Sequence, residues 1–267
     1  MARPAIIDAL FCIPKRDAVR QISDCVPFNQ DLTPLMNSSG IAGAVLALSN
    51  CAQCQHRWNC ADRRTQEIVN TVARNPQQLR GLASYDPLRI GESLRWIDEA
   101  IVEGGLVGAY VQAECCISGL DVPRMYPLYG LCARLRSPVV VEITTREQWA
   151  HYRPQVEVVA ADFPEMEILL APPQGIDPDS IIQLMQHFPH ISFLLCSHEF
   201  RAEPMLCEYV ELEGREHTLF RSSADGWAAA VEAARTLPLG VAARHAYLGE
   251  NAMRLFKFPV EAAMLEG

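Results

Sequence analysis

The stretch that decides the fold runs from residue 79 to residue 111 and reads Leu79-Arg-Gly-Leu-Ala-Ser84, Tyr-Asp-Pro-Leu-Arg, Ile90-Gly-Glu-Ser-Leu-Arg-Trp-Ile-Asp-Glu-Ala-Ile-Val-Glu103, Gly-Gly, Leu106-Val-Gly-Ala-Tyr-Val111. Its outer segments are short apolar runs without polar alternation, as expected of strands buried on both faces. Between them Leu94, Ile97 and Ile101 recur at helical spacing, and two glycines then end the helix. The stretch predicts a strand, a helix and a second strand.

The same unit repeats along the whole chain. The apolar runs are residues 5–11, 41–48, 79–84, 106–111, 138–143, 166–171, 191–195 and 218–220, and their first residues lie 36, 38, 27, 32, 28, 25 and 27 apart. This spacing is the size of a strand plus a crossover helix. Eight such units without a linker predict a single (β/α)8 TIM barrel over residues 1–267. An open doubly wound sheet is the alternative, but no G-x-G-x-x-G turn follows the first run.

The composition excludes some classes of binding partner and indicates the cellular compartment. The 267 residues carry 23 Lys and Arg against 32 Asp and Glu, and the net charge of −9 disfavours nucleic acid or an anionic membrane as a partner. No apolar run reaches the roughly 18 residues of a membrane span, and the N-terminus lacks the pattern of a signal peptide. We therefore expect a cytoplasmic protein whose ten cysteines are reduced.

Several segments resemble the amidohydrolase-related family of metal-dependent hydrolases and decarboxylases. Ile6-Ile-Asp-Ala-Leu-Phe-Cys12 is similar to the family's first strand, Asp-x-His-x-His, and Pro138-Val-Val-Val-Glu142 to its fifth, Pro-Val-x-x-His. Residues 163–172 are similar to the sixth strand, and residues 247–256 are the most specific match. The resemblance spans nearly the full length. It implies a barrel whose site lies at the C-terminal ends of the strands.

The family's metal ligands do not carry over to this sequence. Leu10 and Cys12 stand where the resemblance places the two first-strand histidines, Glu142 stands at the fifth-strand His, and Pro172 at the sixth. A hydrolytic zinc ion needs about three imidazole or carboxylate ligands and an open position, which this set does not provide. The resemblance therefore implies the family's framework without its usual metal site.

The eighth strand leaves two alignments open. Arg221-Ser-Ser223 aligns best with the family's Gly-Ser-Asp, so Ser223 replaces the Asp. A shift of two residues places Asp225 there instead, and Asp225 is then a candidate catalytic residue.

A cysteine-rich loop, residues 51–62, follows the second predicted strand. It contains Cys51-Ala-Gln-Cys54-Gln-His-Arg-Trp-Asn-Cys60, in which Cys-x2-Cys is a spacing that lets two thiolates hold one ion. Cys51, Cys54 and Cys60 are therefore candidate ligands for zinc or an iron–sulfur cluster. A redox pair and inert buried thiols are the alternatives, and the sequence does not fix which cofactor binds.

Candidate catalytic residues follow the other strands. Glu142 ends the fifth and is either a general acid/base or the partner of a basic neighbour such as Arg221. Cys12 ends the first strand. His198 follows the seventh, where a loop role is the alternative. Cys132 and Cys207 are interpreted as small buried apolar residues.

Three functions remain open. The first is a barrel without the family's chemistry, which is a pseudoenzyme or the accessory subunit of a related barrel. The second is an enzyme with a rewritten site, in which the loop cysteines hold a metal and Glu142 transfers protons. The third is the family's hydrolase or decarboxylase activity. The expected partner is a small molecule or a related barrel subunit, in a homo- or hetero-oligomer, and the substrate is not readable from one chain.

Overall fold

The computed structural model describes residues 4–13, 31–48, 61–116, 119–222 and 226–259, which form one barrel of eight parallel strands. Each strand pairs with the next in chain order. The strands are β1 Ile7–Ile13, β2 Gly43–Leu48, β3 Leu79–Ser84, β4 Gly108–Gln112, β5 Val139–Glu142, β6 Ile168–Ala171, β7 Ile191–Leu195 and β8 Thr218–Phe220. All eight overlap the predicted apolar runs, which confirms the single (β/α)8 barrel.

Helices surround the sheet. In the described residues they are α1 Thr33–Ser39, α2 Ala61–Val72, α3 Ile90–Val102, α4 Tyr126–Leu135, α5 Arg146–Asp162, α6 Pro178–His187, α7 Ser197–Ala202, α8 Pro204–Leu212, α9 Trp227–Arg235, α10 Val241–His245 and α11 Asn251–Leu255. A π-helical turn, Ala246–Glu250, joins the last two. Among the residues described, no helix combines the length and the apolar character needed to cross a bilayer.

Local sequence signals position the long helix after β5. Thr145 caps α5 by accepting a hydrogen bond from the Gln148 N–H at 3.2 Å, while the Gln148 side chain accepts from the Thr145 N–H at 3.3 Å. This reciprocal capping box satisfies two amide donors that a helix otherwise leaves unpaired. Pro154 lies inside α5 and removes one backbone donor from its interior. The cap fixes where the chain leaves the barrel mouth after Glu142.

Each central strand is buried on both faces. Val139 and Val141 pack outward against the helices, whereas Val140 belongs to a separate inner cluster together with Leu169 and Leu194. Because side chains alternate along a strand, residues two positions after these inner ones also face the barrel interior. The inner residues at the C-terminal ends of the strands therefore define the barrel mouth.

The first and last strands of the barrel, β1 and β8, are joined by hydrogen bonds to one side chain. Asp8 in β1 accepts hydrogen bonds from the Ser222 N–H at 3.1 Å and from the Ser222 hydroxyl at 2.6 Å. The register of β1 against β2 shifts between Asp8 and Phe11, which is a bulge in the strand. Asp8 thus closes the barrel rather than reaching into its mouth.

Candidate functional site

Side chains from five strands meet at the barrel mouth. Leu219 lies in the inner cluster, and Arg221 follows it by two residues. Glu142 and Cys196 follow Val140 and Leu194 in the same way. The inner set at this end comprises Cys12, Tyr110, Glu142, Cys196 and Arg221. Among the described residues, this inner set provides one permanent cation, one carboxylate, one phenol and two thiols.

The Arg221 guanidinium occupies the centre of this group. Its Nη2 donates to the Pro172 carbonyl at 2.7 Å, and its Nη1 lies 3.9 Å from Glu142 Oε1. The two side chains are only 13% and 16% exposed. The pairing of Glu142 with Arg221, which the sequence left as an alternative to acid/base chemistry, is present.

Electrostatics keep Arg221 charged despite its burial. Burial lowers the pKa of the guanidinium, but Cys196, Glu199 and Glu142 together raise it by more, so that the pKa lies above its usual value. Arg221 Nε has no hydrogen-bond partner among the described residues. A fixed positive charge thus stands at the mouth at any pH at which the protein is folded.

A short chain of polar atoms leads from Glu142 to Cys12. The Tyr110 hydroxyl donates to Glu142 Oε2, and the same hydroxyl lies 3.8 Å from Cys12 Sγ. Burial raises the pKa of Tyr110 well above its usual value, with further contributions from Cys12 and Glu142. Burial, followed by the charge of Glu142, also raises the pKa of Cys12. Phenol and thiol therefore both stay protonated near neutral pH.

Glu199 adds a second carboxyl group beside Arg221. It lies in the first turn of α7 and its Oε2 accepts the backbone N–H of Cys196. Burial raises the pKa of Glu199 to about 7, although Arg221 and the Cys196 N–H both oppose the shift. Burial likewise raises the pKa of Cys196 to about 12, and the Cys196 thiol donates to the Ser222 carbonyl at 3.6 Å.

Asp8 is held by donors from three directions. Besides the two bonds from Ser222, its Oδ2 accepts the Trp227 indole N–H at 2.6 Å and its Oδ1 the Leu10 N–H at 3.3 Å. Burial raises the pKa of Asp8 against the opposing effect of these bonds. Asp8 therefore orients the backbone after β8 and the indole of Trp227.

The donor set at the mouth does not fit the metal that the family resemblance implies. Leu10 and Pro172 have no side-chain donor, and the Cys12 Sγ atom lies 3.8 Å from the Tyr110 hydroxyl. Glu142 is already engaged by Tyr110 and Arg221. A divalent ion bound to Glu142 would lie close to the Arg221 guanidinium, which is 3.9 Å from the Glu142 carboxylate, and like charges repel strongly inside a protein.

A different group of donors gathers at the end of β7. One donor atom each from Cys196, His198 and Glu199 lies within 4.8 Å of the others. Two of the three residues are buried and His198 is half-buried. His198, expected either at the site or in a loop, therefore stands beside the mouth.

The other predicted site residues have mixed outcomes. Cys51, Cys54 and Cys60, with Ser223 and Asp225, lie outside the described residues, so their placement stays a prediction. Cys132 and Cys207 are buried free thiols among apolar neighbours, which confirms their interpretation as packing residues.

Sequence reasoning missed Tyr110 and Glu199. Tyr110 lies in an apolar run in which the residue types do not distinguish the inner face from the outer face. The sequence therefore did not indicate that its hydroxyl points into the barrel. Glu199 was readable in principle, because a carboxylate three residues after Cys196 is the capping-box spacing.

The described structure has one small cavity beside Tyr110 and larger hollows elsewhere. A cavity beside Tyr110, lined also by Ser84, Gln112 and Cys116, has a volume of about 20 Å³. That is room for about one water molecule. Larger hollows of about 550 and 470 Å³ lie between α2 and α3 and at the opposite end of the barrel, around Arg80 and Lys257.

Comparison with known proteins agrees with the fold and with the sequence resemblance. Residues 30–258 match the family described as Amidohydrolase. No curated protein is significantly similar to the chain in sequence.

Solved structures with the same architecture include several enzymes. The 2,6-dihydroxybenzoate decarboxylase from Rhizobium is 17% identical with a TM-score of 0.69, covering 96% of this chain and 99% of that one. The 5-carboxyvanillate decarboxylase from Sphingomonas paucimobilis is 17% identical with a TM-score of 0.63, covering 85% and 82%. The 4-oxalomesaconate hydratase from Rhodopseudomonas palustris is 15% identical with a TM-score of 0.66, covering 88% and 82%. At these identities the likeness is one of fold.

Proposed function

Since the chain belongs to the amidohydrolase family, we propose that it is a member without metal-activated water, which acts as a pseudoenzyme or as the accessory subunit of an active related barrel. Its barrel is shared with decarboxylases and a hydratase. The observation that carries the proposal is the buried ion pair of Arg221 and Glu142 at the mouth.

The physical argument rests on charge. Members of the fold group, such as a dihydroxybenzoate decarboxylase from Polaromonas, have been crystallised with bound manganese. In this chain the guanidinium of Arg221 already neutralises Glu142, and the Pro172 carbonyl holds it in place. A second cation gains little from a carboxylate that is paired, and it repels the first.

The proposal also names a setting and a partner. Cys12, Cys116, Cys132, Cys196 and Cys207 are free thiols, which is consistent with a reducing cytoplasm. A related barrel or a small molecule is the expected partner, and nucleic acid and membranes are not. In this role the chain contributes a surface rather than a reaction.

A turnover assay tests the proposal. The purified chain is incubated with Mn²⁺ or Zn²⁺ and with 2,6-dihydroxybenzoate, 5-carboxyvanillate or 4-oxalomesaconate, and substrate loss is followed by chromatography. We expect no turnover above a protein-free blank. Metal-dependent turnover that disappears in Glu142→Gln, but persists in the exposed control Glu147→Gln, would support the family's conventional activity and refute the pseudoenzyme.

A second candidate is an enzyme with a rewritten site. One observation favours it, namely the connection from Cys12 through Tyr110 to Glu142, which links a thiol, a phenol and a carboxylate at the mouth. In this version Cys51, Cys54 and Cys60 hold zinc or an iron–sulfur cluster and Glu142 is the acid/base. Iron, acid-labile sulfide or zinc in anaerobically purified protein that is lost in Cys54→Ser would favour it over the first proposal.

A further inference from the structure

The turn that connects β7 to α7 carries three different metal-binding side chains in four residues. Cys196 follows the last residue of β7, and His198 and Glu199 lie in the first turn of α7. One sulfur, one imidazole nitrogen and one carboxylate oxygen lie within 4.8 Å of one another. This distance suits three donors arranged around a single ion, because ligands about 2.0–2.3 Å from a zinc ion lie within that range of each other.

We infer that Cys196, His198 and Glu199 form a binding site for a zinc-like divalent transition-metal ion. Sulfur and imidazole ligands favour zinc, cobalt(II) or iron(II) over calcium or magnesium, which prefer oxygen. Three protein ligands leave a fourth tetrahedral position for water or another group. The site differs from the family positions at residues 10, 12, 142 and 172, and from the cysteine-rich loop.

An unpaired carboxylate oxygen points independently to a ligand. Glu199 is only 6% exposed, and its Oε2 accepts the Cys196 N–H. Its Oε1 is buried and has no hydrogen-bond partner among the described residues. A buried acceptor without a partner is unfavourable, and more so when it is charged. A cation bound at Oε1 removes this cost.

The surrounding charges balance when a divalent ion is present. A divalent ion that binds here displaces the protons of the Cys196 thiol and the Glu199 carboxyl, so that both ligands become anionic on binding. Two anionic ligands match the charge of one divalent ion. Arg221 repels an ion bound at Glu142. At Glu199 the attraction of two anionic ligands for the ion exceeds the repulsion from Arg221.

The site serves a purpose other than the family's reaction. The Cys196 thiol contacts the Ser222 carbonyl, so an ion here would fasten the ends of β7 and β8 together. The inference does not depend on whether the barrel is catalytic, because none of its ligands comes from β1, β5 or β8.

Cobalt(II) is the probe that tests the site, since zinc has no d–d spectrum. Protein dialysed against chelator and then reduced is titrated with Co²⁺ in a buffer without competing ligands. We expect one equivalent to bind with a thiolate-to-cobalt charge-transfer band and intense tetrahedral d–d bands. Cys196→Ser should abolish the charge-transfer band. His198→Gln, at a half-buried position, should weaken binding by more than about tenfold.

Cys132→Ser, at a buried free thiol in α4, is the matched control and should leave the band unchanged. Cys54→Ser tests the cysteine-rich loop as another source of the band and should also leave it unchanged. Far-ultraviolet circular dichroism confirms that each variant is folded. The inference is wrong if the wild type binds no stoichiometric Co²⁺ or shows no charge-transfer band. It is equally wrong if folded His198→Gln binds as the wild type does, or if the band survives in Cys196→Ser and disappears in Cys54→Ser. Any of these results leaves the turnover assay, and so the proposed function, unaffected.

Discussion

At the scale of single residues, the mouth is dominated by one buried cation. Removing Arg221 leaves Glu142 and Glu199 without their countercharge in a place where both are largely buried. Because an uncompensated buried charge costs several kcal/mol, we expect Arg221→Met to lower the free energy of unfolding by about 3–5 kcal/mol. Urea denaturation at neutral pH measures the change.

A double-mutant cycle separates the ion pair from packing. Arg221→Met leaves the Glu142 carboxylate without a countercharge, and Glu142→Gln removes that carboxylate. The double variant should therefore be at least about 1 kcal/mol more stable than the sum of the two single effects predicts. Simple additivity of the two substitutions would contradict a coupled pair.

Glu199 gives the protein a stability that depends on pH. Burial raises the pKa of this carboxyl to about 7 from an ordinary 4.5, so the folded state holds a proton that the unfolded chain releases. The associated stability is present below the unfolded pKa and is lost as pH rises through the folded pKa. In the presence of chelator, Glu199→Gln should therefore gain about 2 kcal/mol over the wild type between about pH 5 and about pH 8.

The unfolding free energies of both proteins at the two pH values provide the measurement. Asp98→Asn is a suitable control, because Asp98 is an exposed partner of Arg134. A constant difference between Glu199→Gln and the wild type would show that Glu199 is already ionised at about pH 5.

At the scale of elements, two glycines differ in how closely neighbouring atoms pack against them. A Cβ at Gly81 in β3 would lie 2.1 Å from Ile68 of α2 and 2.8 Å from Leu106. Gly130 in α4 is exposed, with no atom within 4 Å of its would-be Cβ. We expect Gly81→Ala to lower the free energy of unfolding by about 1–3 kcal/mol and Gly130→Ala to raise it by about 1 kcal/mol.

Thermal or urea unfolding of the two alanine variants checks this contrast. Equal effects of the two substitutions would mean that α2 is not seated on β3 as closely as described. The comparison needs no third variant, because each glycine serves as the control for the other.

The burial of the strands explains which features of the elements could be predicted from the sequence. Continuous apolar runs at regular spacing identify strands buried on both faces, and all eight were found. The same continuity hides which residues face inward, so the connection from Cys12 through Tyr110 to Glu142 could not be read. Pro154 weakened the helical pattern of α5, which its capping box nevertheless secures. The bulge in β1 also left no signal in the residue pattern.

At the scale of the whole molecule, Asp8 holds the closing seam of the barrel. Its carboxylate accepts hydrogen bonds from Ser222 after β8 and from Trp227 of α9. Asp8→Ala leaves these buried donors unpaired, and we expect a loss of about 3 kcal/mol. Amide hydrogen exchange should then quicken more in β1 and β8 than in β4 and β5, because the barrel opens first at its seam.

Exchange measured by mass spectrometry on wild type, Asp8→Ala and the exposed control Asp98→Ala distinguishes a seam from a general effect. A uniform rise in exchange over all eight strands would mean that Asp8 supports the fold as a whole.

The buried Arg221 makes any return to a metalloenzyme depend on the order of mutation. Histidines introduced at positions 10 and 12 alone would bind no metal ion, because the Arg221 guanidinium would repel it. They would also disturb the packing of β1. Loss of Arg221 alone would strand Glu142 and Glu199. Each first step is deleterious and only their combination is useful, which is sign epistasis. An engineer restoring the family's chemistry should therefore exchange the cation and its ligands together, in one combinatorial library rather than by stepwise selection.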